Sequence, residues 1–265
     1  MTAVLAVRGA TKRFGAVLAL DGVDLHVSRG EVVAVLGDNG AGKSTLIKCI
    51  SGVHRLDSGT IEIDGEPVNI TSPAAAQAHG IETVYQDLAL FDNLGPSANF
   101  FAGREQAGPN WLPRPLRIMR RRSMADSTVE VLERLQVSLP DRAATVGLMS
   151  GGQRQVIAVA RAAAFASKVV ILDEPTAALG LRESRRVLDL ILRLRAEGHA
   201  VIVISHAMDH VTEVADRAIV MRRGRAVGEE VPSPQSQQRI VALIVGTAAD
   251  PADSTTNRTS PRPPV

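Results

Sequence analysis

The sequence is poor in aromatic residues and contains a single cysteine. Only 3 % of its 265 residues are aromatic, namely five phenylalanines, Tyr85 and Trp111. So few rings argue against a protein that stacks many nucleic-acid bases or grips sugars on aromatic platforms. Cys49 is the only cysteine, which excludes a scaffold built on disulfide bonds.

Long apolar runs and a strong charge of one sign are also absent. Continuous apolar segments such as Val32–Leu36 and Val169–Leu172 fall far short of the roughly 20 residues that a membrane-spanning helix needs. Met1–Ala10 has neither a basic start nor a long apolar stretch, so we expect no secretory signal there. The net charge of +2 gives no indication of nucleic-acid binding. With 45 % hydrophobic residues, the chain is instead typical of a globular protein with a proper core.

Apolar runs that alternate with helical patterns predict an α/β fold. Runs rich in Val, Ile and Leu predict strands at Val4–Val7, Val23–Val27, Val32–Leu36, Ile61–Ile63, Ile81–Tyr85, Val169–Leu172, Val201–Ile204 and Arg217–Met221. Periodic patterns predict helices at Lys43–Ile50, Ser123–Leu135, Gly152–Ala166, Leu181–Glu197 and Ser233–Val245. Strands that are apolar along their whole length are buried on both faces, which is typical of a mainly parallel sheet covered by helices. Thr247–Val265 has almost no apolar side chains, and we predict that it is disordered.

One segment fits the phosphate-binding pattern G-x-x-x-x-G-K-[ST]. Its residues are Gly37, Asp38, Asn39, Gly40, Ala41, Gly42, Lys43 and Ser44. It follows a predicted strand and precedes a predicted helix, which is the context that this pattern requires. The glycines allow backbone N–H groups to curl around phosphate, and the helix N-terminus adds a favourable dipole. We expect Lys43 to reach the β- and γ-phosphates of a nucleotide and the Ser44 hydroxyl to bind Mg²⁺.

Two further sites accompany this loop. Asp173 and Glu174 end an apolar strand, and such an end lies beside the phosphate loop in a parallel sheet. There Asp173 can hold Mg²⁺ through water, and Glu174 can act as the general base on the attacking water. Ser150, Gly151, Gly152 and Gln153 form a second glycine-rich helix start, which is either a plain capped helix or a second phosphate grip. A chain with two phosphate-binding sites can use both of them if two copies share two nucleotides in a head-to-tail arrangement.

In their order and spacing, these motifs resemble the ATP-binding cassette family, the ATPase subunits of ABC transporters. The resemblance covers about Val4 to Gly246. Gly37 to Thr45 resembles the Walker A loop, Gln86 the Q-loop glutamine, Met149 to Gln153 the signature, Val169 to Glu174 Walker B, Ala177 to Gly180 the D-loop and His206 the switch histidine. Phe14 stands where the family places an aromatic ring against adenine, although a lone Phe is also an ordinary core residue.

The resemblance implies a fold and a set of residue roles, and this sequence differs from the family pattern at two positions. The fold is a P-loop NTPase with a mainly parallel sheet, an N-terminal antiparallel β part and an inserted α-helical subdomain at about 87–160 of a cassette spanning 1–246. ATP binds residues 37–45 and Phe14 in one chain and residues 150–153 of the other, while Gln86, Glu174 and His206 are catalytic. The resemblance also implies that Ser44, Gln86 and Asp173 bind Mg²⁺. Met149 replaces the usual Leu, and Gly180 stands where many relatives carry Asp.

Three longer segments of the sequence resemble the ATPase subunits of bacterial importers of simple sugars such as ribose, xylose and fructose. The similar segments are Gly37–Lys48, Ile81–Leu90 and Glu174–Gly180. This implies a peripheral subunit at the cytoplasmic face of the membrane. Its partners are transmembrane permease subunits, a second cassette and, indirectly, a periplasmic or extracellular sugar-binding protein. Alternatives are the ATPase of an exporter or of an importer for another solute, and a non-transport ABC ATPase. DNA-repair relatives insert hundreds of residues between Walker A and Walker B, and no such insert separates Lys43 from Asp173.

Overall fold

A computed structural model describes residues 3–108, 118–139 and 144–247. In chain order, the strands of these residues are β1 (Ala3–Phe14), β2 (Val17–Ser28), β3 (Val32–Leu36), β4 (Ser58–Ile63), β5 (Glu66–Val68), β6 (Ile81–Val84), β7 (Ala107–Gly108), β8 (Ile118–Met119), β9 (Val169–Asp173), β10 (Ala200–Ile204), β11 (Arg217–Arg222) and β12 (Arg225–Glu230). The helices are α1 (Lys43–Ile50), α2 (Pro73–Ala78), α3 (Pro96–Phe100), α4 (Arg121–Arg134), α5 (Gly151–Phe165), α6 (Leu181–Ala196), α7 (Met208–Val214) and α8 (Gln237–Val245).

The central sheet has six strands in the order β12-β11-β3-β10-β9-β6. All neighbouring pairs are parallel except β11 and β12, which form an antiparallel hairpin at one edge. β3 shows why the strands at the centre of this sheet are rich in apolar residues. Val33 and Val35 face one core cluster, whereas Val32 faces a second cluster on the other side of the sheet. Both faces are therefore covered, as the continuous apolar runs predict.

A second sheet, in the order β2-β1-β4-β5, is antiparallel and packs over the first of these clusters. The other cluster joins the central sheet to helices α4, α5 and α6 and includes Phe100, Leu132 and Ile157. Within α3, Asn99 is fully buried, and its amide bonds to the backbone of Phe91 and to the carbonyls of Leu94 and Gly95. The antiparallel part and the mainly parallel sheet confirm the predicted fold class.

Most predicted elements are present, with shifted ends. The predicted strand Val23–Val27 is the second half of the longer β2. The last helix begins at Gln237 rather than Ser233, because Ser233 and Ser236 hydrogen-bond to one another in a turn before it. The cassette boundary at 246 and the helical subdomain at 87–160 stay predictions, and the tail from 248 on lies outside the described residues. Among the described helices, none has both the length and the apolar character to cross a lipid bilayer.

Candidate active site

The loop between β3 and α1 is shaped by glycines that no other residue can replace without strain. Gly37 has a φ of 145°, and a Cβ there would overlap the carbonyl oxygen of Met221. Gly42 has a φ of 105°, and a Cβ there would lie 2.6 Å from the carbonyl oxygen of Ala19. Positive φ and close backbone contact both favour glycine. The two outer glycines of the sequence pattern thus hold the loop in its curled path.

Lys43 is the first residue of α1, and its side chain is buried within this loop. Its Nζ donates hydrogen bonds to the carbonyl oxygens of Gly37 at 2.6 Å and Asp38 at 3.0 Å. Burial lowers the pKa of Lys43, and the nearby carboxylates of Glu174 and Asp173 oppose that shift. Its ammonium nitrogen is directed at the loop and shielded from water, which makes it available to an anionic ligand.

The two acids stand at the carboxyl end of β9, where Asp173 is the last residue of the strand and Glu174 follows it. Glu174 has a φ of 52°, an uncommon conformation for a residue with a side chain, and its N–H donates to the carbonyl of Ile204 at 3.0 Å. His206 Nε2 lies 3.1 Å from Glu174 Oε1. Burial raises the pKa of Asp173 and of Glu174, while His206 and Lys43 act in the opposite direction on Glu174. A strained backbone, a raised pKa and a histidine partner distinguish Glu174 from a surface glutamate.

These side chains meet in an open cleft of about 740 Å³. The predicted site residues that line it are Asn39, Gly40, Ala41, Gly42, Lys43, Ser44, Thr45, Gln86, Asp173, Glu174 and His206. Gly37 and Asp38 form the start of the loop behind this wall and bind Lys43 through their carbonyls. The structure thus brings residues from four separate parts of the sequence to one edge of the sheet, where parallel sheets bind ligands.

Gln86 is exposed at the cleft, and the chain after it is fixed by an arginine. The guanidinium of Arg161, on α5, donates to the carbonyls of Leu88 at 3.1 Å and Ala89 at 3.0 Å. Because α5 begins at the Ser150 turn, one side chain joins the segment after Gln86 to the helix of the second glycine-rich motif.

Two predicted parts of the site lie outside the cleft wall. Phe14 ends β1, and its ring meets the His54 ring edge-on at 5.1 Å between centroids, with Lys12 Nζ at 5.5 Å. Its strand partner Val17 lines the cleft, so Phe14 stands next to the wall. None of Ser150, Gly151, Gly152 and Gln153 lines the cleft. Ser150 Oγ accepts the N–H of Gln153, and the Gln153 side chain accepts the N–H of Ser150, which is a complete helix-capping box.

The cleft also contains residues that the sequence analysis missed. Val17, Leu18 and Ala19 form an apolar wall at the β1–β2 hairpin, and Ala177, Ile204 and Arg223 complete the lining. Only Ala177 lies inside a motif that pattern reasoning can find. The others reach the cleft through contacts between distant strands, which carry no local sequence signal.

The turn at Ser150 contacts the start of α6 through Glu183. A Cβ on Gly152 would lie 2.5 Å from the Cβ of Glu183 and would overlap its Cγ. The Glu183 carboxylate then occupies the space in which a side chain at Gly180 would begin, with Oε2 at 2.8 Å from that position. Gly180 has no side chain where many relatives carry Asp, and the carboxylate of Glu183 occupies the space next to it.

We expect Gly152→Ala to destabilise the protein much more than Gly151→Ala. A Cβ at 152 forces α5 and α6 apart, which costs about 1–3 kcal/mol of unfolding free energy for an overpacked contact. A Cβ at 151 meets only Leu179 Cδ2 at 3.8 Å, so its effect should stay within about 0.5 kcal/mol, helped by the better helix propensity of Ala. Urea unfolding of the two variants and the parent measures both effects. Equal losses at the two positions would contradict this packing.

Comparisons with known proteins identify the family. Residues 20–177 match the ABC transporter family. The chain is 46 % identical to the fructose import ATP-binding protein FrcA of Rhizobium meliloti, over 95 % of this chain and 97 % of that protein. It is 42 % identical to the xylose/arabinose import ATP-binding protein XylG of Sulfolobus acidocaldarius, over 94 % and 96 % of the two chains. A ribose import ATP-binding protein of Rubrobacter xylanophilus is 41 % identical over 94 % of this chain, which spans 48 % of that protein's length.

Solved structures give the same family. A nucleotide-free ATP-binding cassette from an ABC transporter superposes with a TM-score of 0.78 and 25 % identity, covering 91 % of this chain and 98 % of that one. The ADP conformation of another ABC transporter cassette gives 0.77 and 26 %, covering 93 % of this chain and 100 % of its own. The chain therefore belongs to the ABC transporter family, and it is an ATPase cassette of that family.

Proposed function

We propose that this cassette hydrolyses ATP to power the import of a monosaccharide through a membrane permease. The observation that carries the proposal is the match, over nearly the full length of both chains, to relatives named as fructose and xylose/arabinose import proteins. The cassette would lie on the cytoplasmic face of the membrane. A periplasmic or extracellular binding protein would present the sugar to the permease, so this chain needs no sugar site of its own.

ATP would bind in the cleft with its phosphates in the loop of residues 37–45. Lys43 supports this placement, because its ammonium group is bound to two loop carbonyls and can turn to the β- and γ-phosphates. The backbone N–H groups at the start of α1 add donors and the positive end of a helix dipole. The lysine and these amides supply the charge that a triphosphate requires.

The donors around this loop fit Mg²⁺. A serine hydroxyl, a carboxylate and an amide oxygen, from Ser44, Asp173 and Gln86, line one cleft, and oxygen ligands are those that Mg²⁺ prefers. The described residues hold no cluster of three His, Cys, Asp or Glu side chains suited to a metal ion. This agrees with an ion bound by few protein ligands together with substrate phosphates. When bound, Mg²⁺ would neutralise phosphate charge during the transfer.

Glu174 would act as the general base. Its carboxylate accepts a proton from the water that attacks the γ-phosphate, and the raised pKa makes it a stronger base than an exposed glutamate. His206 holds that carboxylate by its 3.1 Å contact and stands at the cleft, where it can also contact the γ-phosphate. Gln86 would help to position the water.

A second cassette would complete each site. The turn at residues 150–153 lies outside the cleft of its own chain, and its helix N-terminus can bind an anion. Two chains arranged head to tail would place each such turn against the nucleotide in the other chain's cleft. Closure on ATP and reopening after hydrolysis would then move the permease between its two states.

Reconstitution tests the choice of transported solute. The cassette is co-purified with its permease, placed in liposomes and assayed for ATPase activity with sugar-binding proteins loaded with fructose, xylose, arabinose or ribose. We expect one sugar-loaded protein to stimulate hydrolysis several-fold over its unloaded form, and a Lys43→Ala complex to show no stimulation. Stimulation by a lipid, a drug or a non-sugar solute, with none by any sugar, would overturn monosaccharide import.

A further inference from the structure

The turn between β11 and β12 places an arginine on the cleft wall. β11 ends at Arg222 and β12 begins at Arg225, so the turn consists of Arg223 and Gly224. The Gly224 N–H donates to the carbonyl of Ala41 at 2.9 Å, and the Asp21 N–H donates to the carbonyl of Gly224 at 2.8 Å. The turn is therefore fixed by backbone bonds to both the phosphate loop and the β2 strand.

Arg223 adopts a backbone conformation that is unfavourable for an arginine. Its φ is 49° and that of Gly224 is 81°. Two-residue hairpin turns with positive φ at both positions favour Asn-Gly, Asp-Gly or Gly-Gly, because a longer side chain is strained there. The stability of this turn therefore does not explain why an arginine occupies its first position.

Its guanidinium group is also unpaired among the residues that the structure describes. Neighbouring arginines on the same two strands have partners: Arg225 binds Asp21 at 2.7 Å, and Arg217 binds Glu31 at 2.9 Å. Arg223 is exposed, lines the cleft and has no hydrogen bond or ion pair to a described residue. A guanidinium in such a position is available to a ligand with phosphate or hydroxyl oxygens.

The strand order shows which end of the ligand Arg223 faces. Glu174 and His206 follow β9 and β10, on one side of the loop after β3, whereas Arg223 follows β11 on the other side. A Cβ on Gly224 would lie 2.9 Å from the carbonyl of Ala19, so the turn adjoins the apolar wall of Val17, Leu18 and Ala19. If the γ-phosphate lies beside Glu174, this strand order places Arg223 on the side of the loop toward which the nucleoside end of ATP would extend.

We propose that Arg223 is a nucleotide-binding residue that contacts the ribose and α-phosphate end of ATP. This inference rests on the proposed binding of ATP in the cleft. It differs from the roles of Lys43, Glu174 and His206, which act on the β- and γ-phosphates. Because ATP and ADP share the ribose and the α-phosphate, Arg223 should contribute equally to the binding of both.

Nucleotide affinities of the whole chain test this assignment. We expect Arg223→Ala to weaken the affinity for ATP and for ADP by the same factor, about tenfold for one lost charged contact, and to raise the KM for ATP correspondingly. Arg223→Lys should lose less. Arg225→Ala, which removes a paired arginine from the same hairpin, is the matched control and should leave both affinities unchanged within about twofold.

A second measurement separates binding from structure. Arg223→Gly removes the side chain and relieves the positive φ, so its thermal midpoint should rise by about 2 °C although nucleotide affinity falls. Unchanged affinities in Arg223→Ala, or a loss for ATP without one for ADP, would overturn the proposal. Lys43→Ala in the same assay tests the cleft itself: if it lost binding while Arg223→Ala did not, only the role of Arg223 would be wrong. If Lys43→Ala bound ATP normally, the placement of the nucleotide would fail.

Discussion

Replacing Glu174 by glutamine is expected to stop ATP hydrolysis while ATP still binds. The amide has the shape of the carboxylate but cannot accept a proton from the attacking water, and loss of a general base lowers kcat by about 10²–10⁴-fold. Lys43 and the loop of residues 37–45 are unchanged, so the ATP affinity should stay close to that of the parent. Because reopening follows hydrolysis, the variant should accumulate with ATP as a closed pair of cassettes. Phosphate release and light scattering in the presence of Mg-ATP measure the two effects.

Glu130→Gln provides the control for this experiment. Glu130 is exposed on α4 and lies outside the cleft, and the substitution changes the same chemical group. Its hydrolysis rate should equal that of the parent, and it should form no lasting pair. Normal hydrolysis by Glu174→Gln would show that another group is the base, since nothing else about the residue has changed in size or position.

The fold was predictable where burial leaves a strong pattern in the sequence. β3 and β10 are buried at every position and β9 at every position before Asp173, so all these positions are apolar and the strands differ clearly from their surroundings. β12 has only Val227 buried, and its remaining residues are polar, small or charged. The sequence does not predict short or half-exposed elements such as β5 and α7 for the same reason, because tertiary contacts rather than local composition hold them in place.

The site was predictable where one short segment carries the chemistry. The loop of residues 37–45 and the pair Asp173 and Glu174 contain their own functional groups, and parallel strand ends bring them together. Arg223 depends instead on a backbone bond between Gly224 and Ala41, residues that are far apart in the sequence. No pattern around an arginine reveals such a bond.

The same cleft contains residues that violate local backbone preferences. Glu174 and Arg223 both have a positive φ without being glycine, and they lie on opposite sides of the phosphate loop. Each is held by a backbone bond, from the Glu174 N–H to Ile204 and from the Gly224 N–H to Ala41. Strain that the surrounding sheet enforces at two points of one cleft indicates that side-chain direction there matters more than local stability.

Two inactive variants, mixed together, should regain activity if two chains share each site. Lys43→Ala removes the charge that binds the phosphates, and Ser150→Phe places a bulky ring on the exposed turn that would contact the other chain's nucleotide. When both chains of a pair carry the same variant, both ATP sites of that pair are inactive. In a mixed pair, one site joins the intact Lys43 loop of one chain to the intact Ser150 turn of the other, whereas the second site carries both changes. ATPase assays of each variant and of their equimolar mixture measure the recovery.

The size of the recovery follows from the symmetry of the pair. Random pairing gives mixed pairs in half of the population, and each has one intact site of two, so the mixture should reach about a quarter of the parent rate. Lys43→Ala mixed with Glu174→Gln is the matched control, because both changes lie in the same cleft and each site of a mixed pair remains spoiled. Recovery in that control, or no recovery with Ser150→Phe, would contradict head-to-tail sharing. Recovery only with Ser150→Phe requires the turn at residues 150–153 to serve a cleft other than its own, which agrees with its position outside that cleft in a single chain.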